Sequence, residues 1–505
     1  LLLLGLNSRF SYSTGAELSV SMYLRTLYQP YSVHCNRNSS EVINGITNKT
    51  RVLIDTITMS LTMVSSGLML ITILTILFYV DPFVALSAFS GFGLIYLIII
   101  RLTKKKLSLN SECVATESTR VIQTLQEGLG GIRDVLLDGS QAVYCRMYQN
   151  AEKPLRRAEG DNVFIANSPR YLMEALGMVL IAILAYSISQ RTEQIAGAIP
   201  ILGVFALAAQ RLLPVLQQAY VSWTNMRAVQ ASIKDALDLL DQPLPQGINS
   251  GPTNRPISFS NDISLDHVGF KYDRQGTEIL TDVTLKIVKG SRIGVIGTTG
   301  SGKSTLIDLV MGLLSPTHGS LKIDGQRITA ANSGAWQARI AHVPQAIFLA
   351  DTTVAQNIAF GIHPDEIDFD WVRQVAIQAQ IASSIDSWPN KYQTVVGERG
   401  VRLSGGQRQR IGIARALYKK ADVIIFDEAT SALDSETEQA VMDAIEGLDK
   451  NLTLLIIAHR VSTLKACSRV IELKQGRIER IIDSATLMEA AQSTLLNTTA
   501  EHNRV

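Results

Sequence analysis

The chain has 505 residues, of which 46% are hydrophobic, and its formal net charge is +2 at pH 7. This length accommodates two or three domains, and the near-neutral charge argues neither for nor against nucleic acid, which we do not expect as a partner. The four cysteines are isolated, so we expect neither a disulfide framework nor a zinc site.

The first half of the chain carries four apolar segments of membrane length, at about 56–80, 83–102, 169–189 and 196–221. The stretches 1–55 and 101–168 are long and rich in Lys and Arg, whereas the short turns between the spans carry one arginine. The positive-inside rule therefore predicts that the long stretches lie in the cytoplasm. We interpret the opening LLLLGLNSRF, which has no initiator Met, as a truncated start rather than a signal peptide.

A segment rich in Pro, Gly, Ser and Asn, 241–256, predicts a linker. After it, short β-rich runs alternate with helical stretches over 257–490, and a tail follows at 491–505. This alternation predicts a largely parallel sheet with helices on both faces. The expected fold is a membrane-spanning all-α bundle over 1–240 followed by an α/β domain.

The sequence GTTGSGKST, Gly297–Thr305, follows an apolar strand and matches the phosphate-loop pattern GxxxxGK[ST]. Glycines let backbone N–H groups turn toward phosphate oxygens, and the following helix aims its positive end at the same point. Lys303 would reach the β- and γ-phosphates of ATP, and Ser304 would hold Mg²⁺. The nucleotide-binding residues predicted here are Gly297, Thr298, Thr299, Gly300, Ser301, Gly302, Lys303, Ser304 and Thr305.

Two further motifs complete a nucleotide site. VIIFDE is a buried strand that ends in two carboxylates, of which Asp427 is placed to bind Mg²⁺ and Glu428 to polarise a water against the γ-phosphate. LSGGQRQR places a serine and two glycines at the start of a helix, where an anion can bind. A second phosphate site implies a second surface for the same nucleotide.

With these motifs in order, the segment from about 257 to 480 resembles the nucleotide-binding domain of an ATP-binding-cassette protein. The resemblance implies that Tyr272 stacks on adenine and that Gln345, in VPQ, contacts Mg²⁺ and the membrane domain. It also implies that His459, in IAHR, acts with Glu428 and Gln345 in hydrolysis. Two other loops match the family pattern, at Gly397–Gly400 and Ser431–Asp434.

In the family that this segment resembles, LSGGQ of one subunit closes over the ATP of the other. The resemblance therefore implies a homodimer in which Ser404, Gly405, Gly406 and Gln407 act in trans, and it leaves a heterodimer open. The first half is similar to the exporter-type membrane domain of a half-transporter, with four of its six spans complete. Its coupling helices would lie near 28–41 and 130–145, where ordinary helical turns are the alternative.

The membrane half also resembles bacterial flippases for lipid-linked oligosaccharides, in the stretches NSPRYLMEALG and AAQRLLP. This resemblance implies a polyprenyl-pyrophosphate glycan as cargo, bound in an inner-membrane protein with a cytoplasmic ATPase domain. Arg170 and Arg211 are the predicted substrate contacts, because guanidinium binds phosphate bidentately. For Arg211, snorkelling to the interface and pairing with Glu174 are the alternatives.

Other functions stay open at this point. A general lipid or hydrophobic-drug exporter of the same architecture is the first alternative, and a peptide exporter is another. The apolar spans argue against a soluble cassette ATPase. Only a transport assay separates a pump from a receptor or channel regulator with the same ATPase domains.

Overall fold

The computed structural model describes residues 2–80, 82–191, 195–244, 257–273, 276–428, 435–449, 451–458, 461–465 and 467–483. Side chains are described at these positions except 2–4, 80, 83–85, 87–89, 180–181, 184–185, 187–191, 195–209, 435–437 and 461–462. The chain divides into two compact units, Leu1–Gln29 with Val33–Leu244, and Pro30–Ser32 with Pro245–Val505.

The first unit consists of helices joined by turns, and none of its described residues lies in a strand. Its helices are α1 (Leu2–Leu27), α2 (Tyr31–Cys35), α3 (Ser39–Asn44), α4 (Thr50–Val80), α5 (Pro82–Gly130), α6 (Ile132–Leu137), α7 (Gln141–Arg191), α8 (Ile195–Ala228) and α9 (Gln230–Leu240). The first two residues of α2 are grouped with the second unit. A π-helical turn, Gly45–Lys49, joins α3 to α4. With 49 and 51 residues, α5 and α7 are each about 75 Å long, far more than a bilayer core of about 30 Å requires.

One described helical run, Ser39–Tyr79, is long and apolar enough to cross a membrane by length and composition. It contains nearly all of the span predicted at 56–80. The other three predicted spans, 83–102, 169–189 and 196–221, include positions outside the described side chains and stay predictions. So do the linker, of which 245–256 lies outside the described residues, and the tail at 491–505.

Helix α7 continues through Pro169, the residue at which the predicted span 169–189 begins. A proline inside a helix cannot donate to the carbonyl four residues earlier, which here is the carbonyl of Ile165. The hydroxyl of Tyr220 on α8 donates to that carbonyl at 3.1 Å. The hydrogen bond lost at the proline is thus replaced from the neighbouring helix, so that α7 can continue.

Two apolar clusters hold the first unit together. Side chains of α5, α7 and α8 form one of them: Phe92, Tyr96, Met173, Leu212 and Tyr220. Side chains of α1, α4 and α9 form the other: Met22, Leu53, Ala236 and Leu239. Beside the second cluster, Lys49 donates to Asp235 at 2.5 Å, which ties the π-helical turn to α9.

The second unit contains both sheets. Its strands are β1 (Asp262–Phe270), β2 (Leu280–Val288), β3 (Arg292–Gly297), β4 (His318–Ile323), β5 (Gln326–Arg327), β6 (Ile340–Val343), β7 (Val423–Asp427), β8 (Thr453–Ile457), β9 (Arg469–Lys474) and β10 (Arg477–Asp483). Its helices are α10 (Lys303–Val310), α11 (Ser333–Gln337), α12 (Val354–Ile358), α13 (Phe369–Gln378), α14 (Ala382–Asp386), α15 (Gly405–Tyr418) and α16 (Ser435–Glu446).

The expectation of one largely parallel sheet is only partly right. The six-stranded sheet has the order β10-β9-β3-β8-β7-β6 and is parallel except for the edge strand β10. A separate four-stranded sheet, β2-β1-β4-β5, is antiparallel. Burial alternates along most of β2, as expected for a strand with one face on a core, and this period-2 pattern distinguishes it from the fully buried β8.

The topology brings the motifs to one edge. Because β3, β8, β7 and β6 are parallel neighbours, their carboxyl ends lie along the same edge of the sheet. The phosphate loop follows β3, Asp427 ends β7, and Gln345 lies two residues after β6. Ligands bind at this edge in open α/β sheets.

Candidate functional site

The loop between β3 and α10 has the backbone geometry of a phosphate cradle. Gly297 has φ +154°, and a Cβ there would clash with the carbonyl oxygen of Leu473 and lie 2.6 Å from Ser301 Oγ. Gly302 has φ +99° and caps the start of α10. Glycine adopts both conformations without a steric penalty, so the loop can bring its backbone close to an anion at the positive end of α10.

Two side chains of this loop fit a phosphate group. Lys303 is buried, and its Nζ donates to the carbonyl oxygens of Gly297 at 2.8 Å and Thr298 at 3.2 Å. Ser301 Oγ is buried without a hydrogen-bond partner among the described residues. A buried hydroxyl without a partner is costly, and an added phosphate oxygen would satisfy it. Thr298, Thr299, Gly300 and Ser304 are exposed, whereas Thr305 is buried behind the loop.

Tyr272 lies beside the phosphate loop, as an adenine-stacking residue should. Its hydroxyl is 3.4 Å from Thr305 Oγ1, and its ring packs edge-on against Phe270 with 4.9 Å between centroids. The residue is 48% exposed, so a ring face stays accessible to a flat ligand. The geometry is compatible with base stacking.

The carboxyl end of β7 concentrates negative charge. Burial, followed by the charge of Asp427, raises the pKa of Asp308 to about 6. Asp308 stands one helical turn after Ser304 on α10, so the two residues share a face of that helix. Because the charge of Asp427 acts on Asp308, the Asp427 carboxylate faces the same side of α10 as Ser304. Carboxylate and hydroxyl oxygens suit Mg²⁺, which binds through a few protein oxygens together with substrate phosphates.

Glu428 has an unusual backbone. Its φ of +48° lies in the left-handed region, which costs energy for a residue with a side chain. Its carboxylate accepts a hydrogen bond from Gln345 Nε2 at 2.9 Å. The structure therefore joins two of the three predicted catalytic residues directly, across β6 and β7. The third, His459, lies outside the described residues, as does Ser431–Asp434.

The LSGGQ motif begins a helix, as the sequence predicts. Ser404 is the N-cap of α15, and its Oγ accepts from the N–H of Gln407 at 3.2 Å. Gln407 Oε1 accepts from the N–H of Ser404 at 3.0 Å, which completes a capping box. Gly405 is exposed and Gly406 is buried. In the described part of the chain, no hydrogen bond joins Ser404 or Gln407 to the phosphate loop.

The first unit contains a cavity of about 540 Å³ between α4, α7 and α8. Eight of its thirteen lining residues are polar: Thr58, Thr62, Arg170, Glu174, Gln217, Gln218, Ser222 and Asn225. The other five are Met59, Met173, Leu213, Pro214 and Val221. The lining offers amide and hydroxyl groups and contains no aromatic ring among the described residues.

The two predicted substrate arginines differ in their surroundings. Arg170 lines the cavity, and its Nε donates to Glu174 Oε1 at 2.7 Å. In the described residues Glu174 therefore pairs with Arg170, one turn away on the same helix, and no ion pair joins it to Arg211. Arg211 is exposed and stands three residues before Pro214 and seven before Gln218, on the same face of α8.

The sequence does not predict several of the site residues. Asp308 and the unpartnered Ser301 hydroxyl depend on burial, which the sequence does not reveal. A helical-face count would have found the polar residues of α8, because Gln218, Ser222 and Asn225 follow at intervals of four and three. The same spacing would have paired Glu174 with Arg170.

The motifs and both units agree with the comparisons to known proteins. The family model described as "ABC transporter transmembrane region" matches residues 11–209, and the model described as "ABC transporter" matches 280–431. The chain belongs to the ABC transporter family. It is a membrane-embedded transporter whose domain for binding ATP hydrolyses the nucleotide to drive transport.

Among its relatives is the ATP-dependent lipid A-core flippase of Cupriavidus metallidurans, 30% identical over 480 residues, which are 93% of this chain and 79% of the relative. The flippase of the same name from Ralstonia nicotianae is 30% identical over 471 residues, with 92% and 78% covered. The solved structure of a bacterial Atm1-family ABC exporter with ATP bound has a TM-score of 0.81 and 24% identity, and covers 96% of this chain and 84% of that one. It shares the fold.

Proposed function

We propose that this transporter flips a lipid-linked oligosaccharide across the inner membrane. The observation that carries the proposal is the cavity of the first unit, in which eight of the thirteen lining residues carry amide, hydroxyl or charged groups. Such groups hydrogen-bond to sugar hydroxyls and phosphates, whereas a site for aromatic cations would be lined by aromatic rings. Arg170 and Arg211 contact the polar head of this lipid.

Two kinds of lipid fit the proposal. The flippases named above act on lipid A-core, and their similarity extends over both units. The stretches around Arg170 and Arg211 resemble flippases for polyprenyl-pyrophosphate glycans. Both lipids join a saccharide to an apolar anchor, and the transport assay below includes each of them.

In the proposed nucleotide site, each residue has one role. Tyr272 stacks on adenine, the loop Gly297–Thr305 wraps the phosphates, and Lys303 exchanges its loop carbonyls for the β- and γ-phosphates. Glu428 polarises the attacking water, with His459 and Gln345 positioning it and the γ-phosphate. Catalysis of this kind is mostly positioning and charge stabilisation.

Mg²⁺ belongs to the same proposal. The oxygens of Ser304, Asp427 and Gln345 would hold it, and the metal would neutralise charge on the phosphates. After the larger effect of burial, the charge of Asp427 also raises the pKa of Asp308, and two carboxyl groups this close suit a divalent cation. The chain's own contribution is to keep these oxygens at one edge of the sheet.

The active form is a homodimer with two ATP molecules between two ATPase domains. One chain holds one phosphate loop and one LSGGQ helix, and the Ser404 hydroxyl keeps its proton for donation because it accepts within its own cap. Ser404, Gly405, Gly406 and Gln407 would therefore contact the ATP of the partner. Helix α15 would place its positive end there.

Mixing two inactive variants tests the dimer. Ser404→Arg blocks one surface and Lys303→Ala weakens the other, so a mixed dimer has one intact site and one doubly altered site. We expect ATP binding at one site per mixed dimer and none at high affinity in either pure variant. Full ATPase activity in a monomer would refute the arrangement, and a mixture that stays inactive would refute action in trans.

The membrane placement follows from the charge distribution. The spans at 56–80, 83–102, 169–189 and 196–221 cross the inner membrane, and the ATPase domain lies in the cytoplasm. Helices α2 and α6 fall within the two segments proposed to couple ATP binding to the spans. Labelling of cysteines introduced at Asp138 and Thr192 tests the topology, because only the former should react from the cytoplasm.

Transport in reconstituted vesicles tests the cargo. We expect a polyprenyl-pyrophosphate oligosaccharide or lipid A-core to stimulate ATPase activity and to be flipped, and a cationic drug to do neither. Arg211→Lys keeps the charge but loses the bidentate fork, so flipping should fall while basal ATPase activity remains. Normal flipping by both Arg211→Lys and Arg211→Gln would remove Arg211 from the pathway.

One observation favours a second function. Glu174 and the cavity's methionines could bind an amphipathic cation, which would make the chain a hydrophobic-drug exporter. Stimulation by a cationic drug without stimulation by either glycolipid would establish this alternative.

A further inference from the structure

The ion pair between Arg170 and Glu174 makes the described lining of the cavity neutral overall. The two side chains are four residues apart on α7, joined at 2.7 Å, and both line the cavity. Their side chains are 59% and 44% exposed, so the cavity reaches both groups. The other described lining residues are uncharged, and the formal charges of the lining therefore cancel.

The pair leaves several polar atoms for a ligand. Their contact, from Nε to Oε1, uses one guanidinium nitrogen and one carboxylate oxygen. Across the described residues, Glu174 Oε2 and the two terminal nitrogens of Arg170 make no further hydrogen bond. These atoms offer an acceptor and four N–H donors side by side.

This arrangement suits hydroxyl groups better than phosphate. A sugar hydroxyl donates to Glu174 and accepts from Arg170 without breaking their contact. A phosphate that accepts from the terminal nitrogens of Arg170 comes to lie beside the Glu174 carboxylate, and the two negative charges repel each other. The amides of Gln217, Gln218 and Asn225 extend the hydroxyl-binding surface.

We infer that Arg170 and Glu174 form a subsite for the uncharged, hydroxyl-rich part of the head group, and that Glu174 disfavours a bare phosphate there. Arg211 then receives the anionic part. It stands about 10 Å along α8 from Gln218, within the size of a short saccharide. This assignment rests on the proposed function and specifies which part of the lipid each arginine meets.

The test compares two probes with the full chain in lipid nanodiscs: a neutral diglucosyl diacylglycerol and undecaprenyl pyrophosphate without sugar. Dissociation constants are measured by equilibrium binding for the wild type, Glu174→Gln and Glu174→Asp. Glu152→Gln is the matched control, because Glu152 pairs with Arg156 at the same spacing and 2.7 Å on the same helix outside the cavity.

We expect Glu174→Gln to bind undecaprenyl pyrophosphate about tenfold more tightly and the diglucosyl lipid several-fold more weakly, since charge-assisted hydrogen bonds are about twice as strong as neutral ones. Glu174→Asp and Glu152→Gln should keep the wild-type ratio of the two constants. A ratio within twofold of wild type in Glu174→Gln, or an equal change in Glu152→Gln, would overturn the inference.

The proposed function fails in a different way. If the wild type binds neither the neutral probe nor a complete lipid-linked oligosaccharide, both the cargo and the subsite are wrong. If it flips the oligosaccharide while Glu174→Gln leaves the ratio unchanged, only the subsite is wrong.

Discussion

Replacing Gly297 with alanine should damage the ATPase domain before any nucleotide binds. The new Cβ would clash with the carbonyl oxygen of Leu473 and lie 2.6 Å from Ser301 Oγ. The Leu473 carbonyl belongs to β9, whose residue 473 pairs with Gly297 in the sheet, so it cannot move aside cheaply. Relief requires the loop to shift or the end of β3 to separate from β9.

The expected loss in the free energy of unfolding of Gly297→Ala has two parts. Overpacking against a fixed backbone costs about 1–3 kcal/mol, and the strained φ adds about 1–2 kcal/mol. In a domain of this size, 1 kcal/mol lowers the melting temperature by about 2–4 °C, so the sum predicts a decrease of roughly 4–20 °C. Nucleotide affinity should fall at least tenfold, because a misplaced loop cannot present its N–H groups to the phosphates.

Gly300→Ala is the matched control. Gly300 has φ +81°, but a Cβ there would meet nothing within 4 Å. Gly300→Ala should therefore lower the free energy of unfolding only by the cost of the backbone conformation, about 1–2 kcal/mol. Both variants are melted without nucleotide in a scanning calorimeter, and fluorescent ATP is then titrated. Equal melting temperatures for the two variants would refute the steric argument.

Three further predictions follow from single contacts. Glu428→Gln keeps an acceptor for Gln345 and should leave ATP affinity unchanged while phosphate release falls about 10²–10⁴-fold; release at the wild-type rate would contradict the role of Glu428. Gln345→Ala should lower transport per ATP hydrolysed more than ATP affinity, whereas equal losses would make it a simple nucleotide ligand. Tyr220→Phe removes the hydroxyl that donates to the carbonyl of Ile165, for which Pro169 has no N–H to offer. The free energy of unfolding should therefore fall by about 1–3 kcal/mol, and an unchanged unfolding midpoint would refute this.

Sequence motifs predict the nucleotide site because its chemistry needs fixed residue types at fixed spacing. Glycines at a tight loop, a lysine at the helix start and carboxylates at a strand end are visible as letters. The sequence does not reveal that Glu428 adopts a left-handed backbone or that its partner is Gln345, 83 positions away. Those features depend on how β6 and β7 pair.

The sequence predicts the fold class of the second unit but not the number of its sheets. Alternating strands and helices indicate a parallel sheet, and β3, β6, β7 and β8 form one. The antiparallel sheet was missed because β1 and β2 were not distinguished from fully buried strands. A period-2 test on LTDVTLKIV, which is buried at alternate positions over most of its length, would have separated β2 from LTLLII.

The ion-pair partner of a charged residue in an apolar segment is the hardest feature to predict, because the sequence does not show whether the charge is neutralised by a neighbour. Arg170 and Arg211 look alike in sequence, yet the carboxylate one turn away pairs with Arg170. A bound phosphate meets the least repulsion where no carboxylate neighbours the arginine, and among the described contacts Arg211 has none. The difference between the two arginines therefore predicts a lipid head that is bound in two chemically distinct parts, with hydroxyls in the cavity at Arg170 and the anion on the α8 face at Arg211.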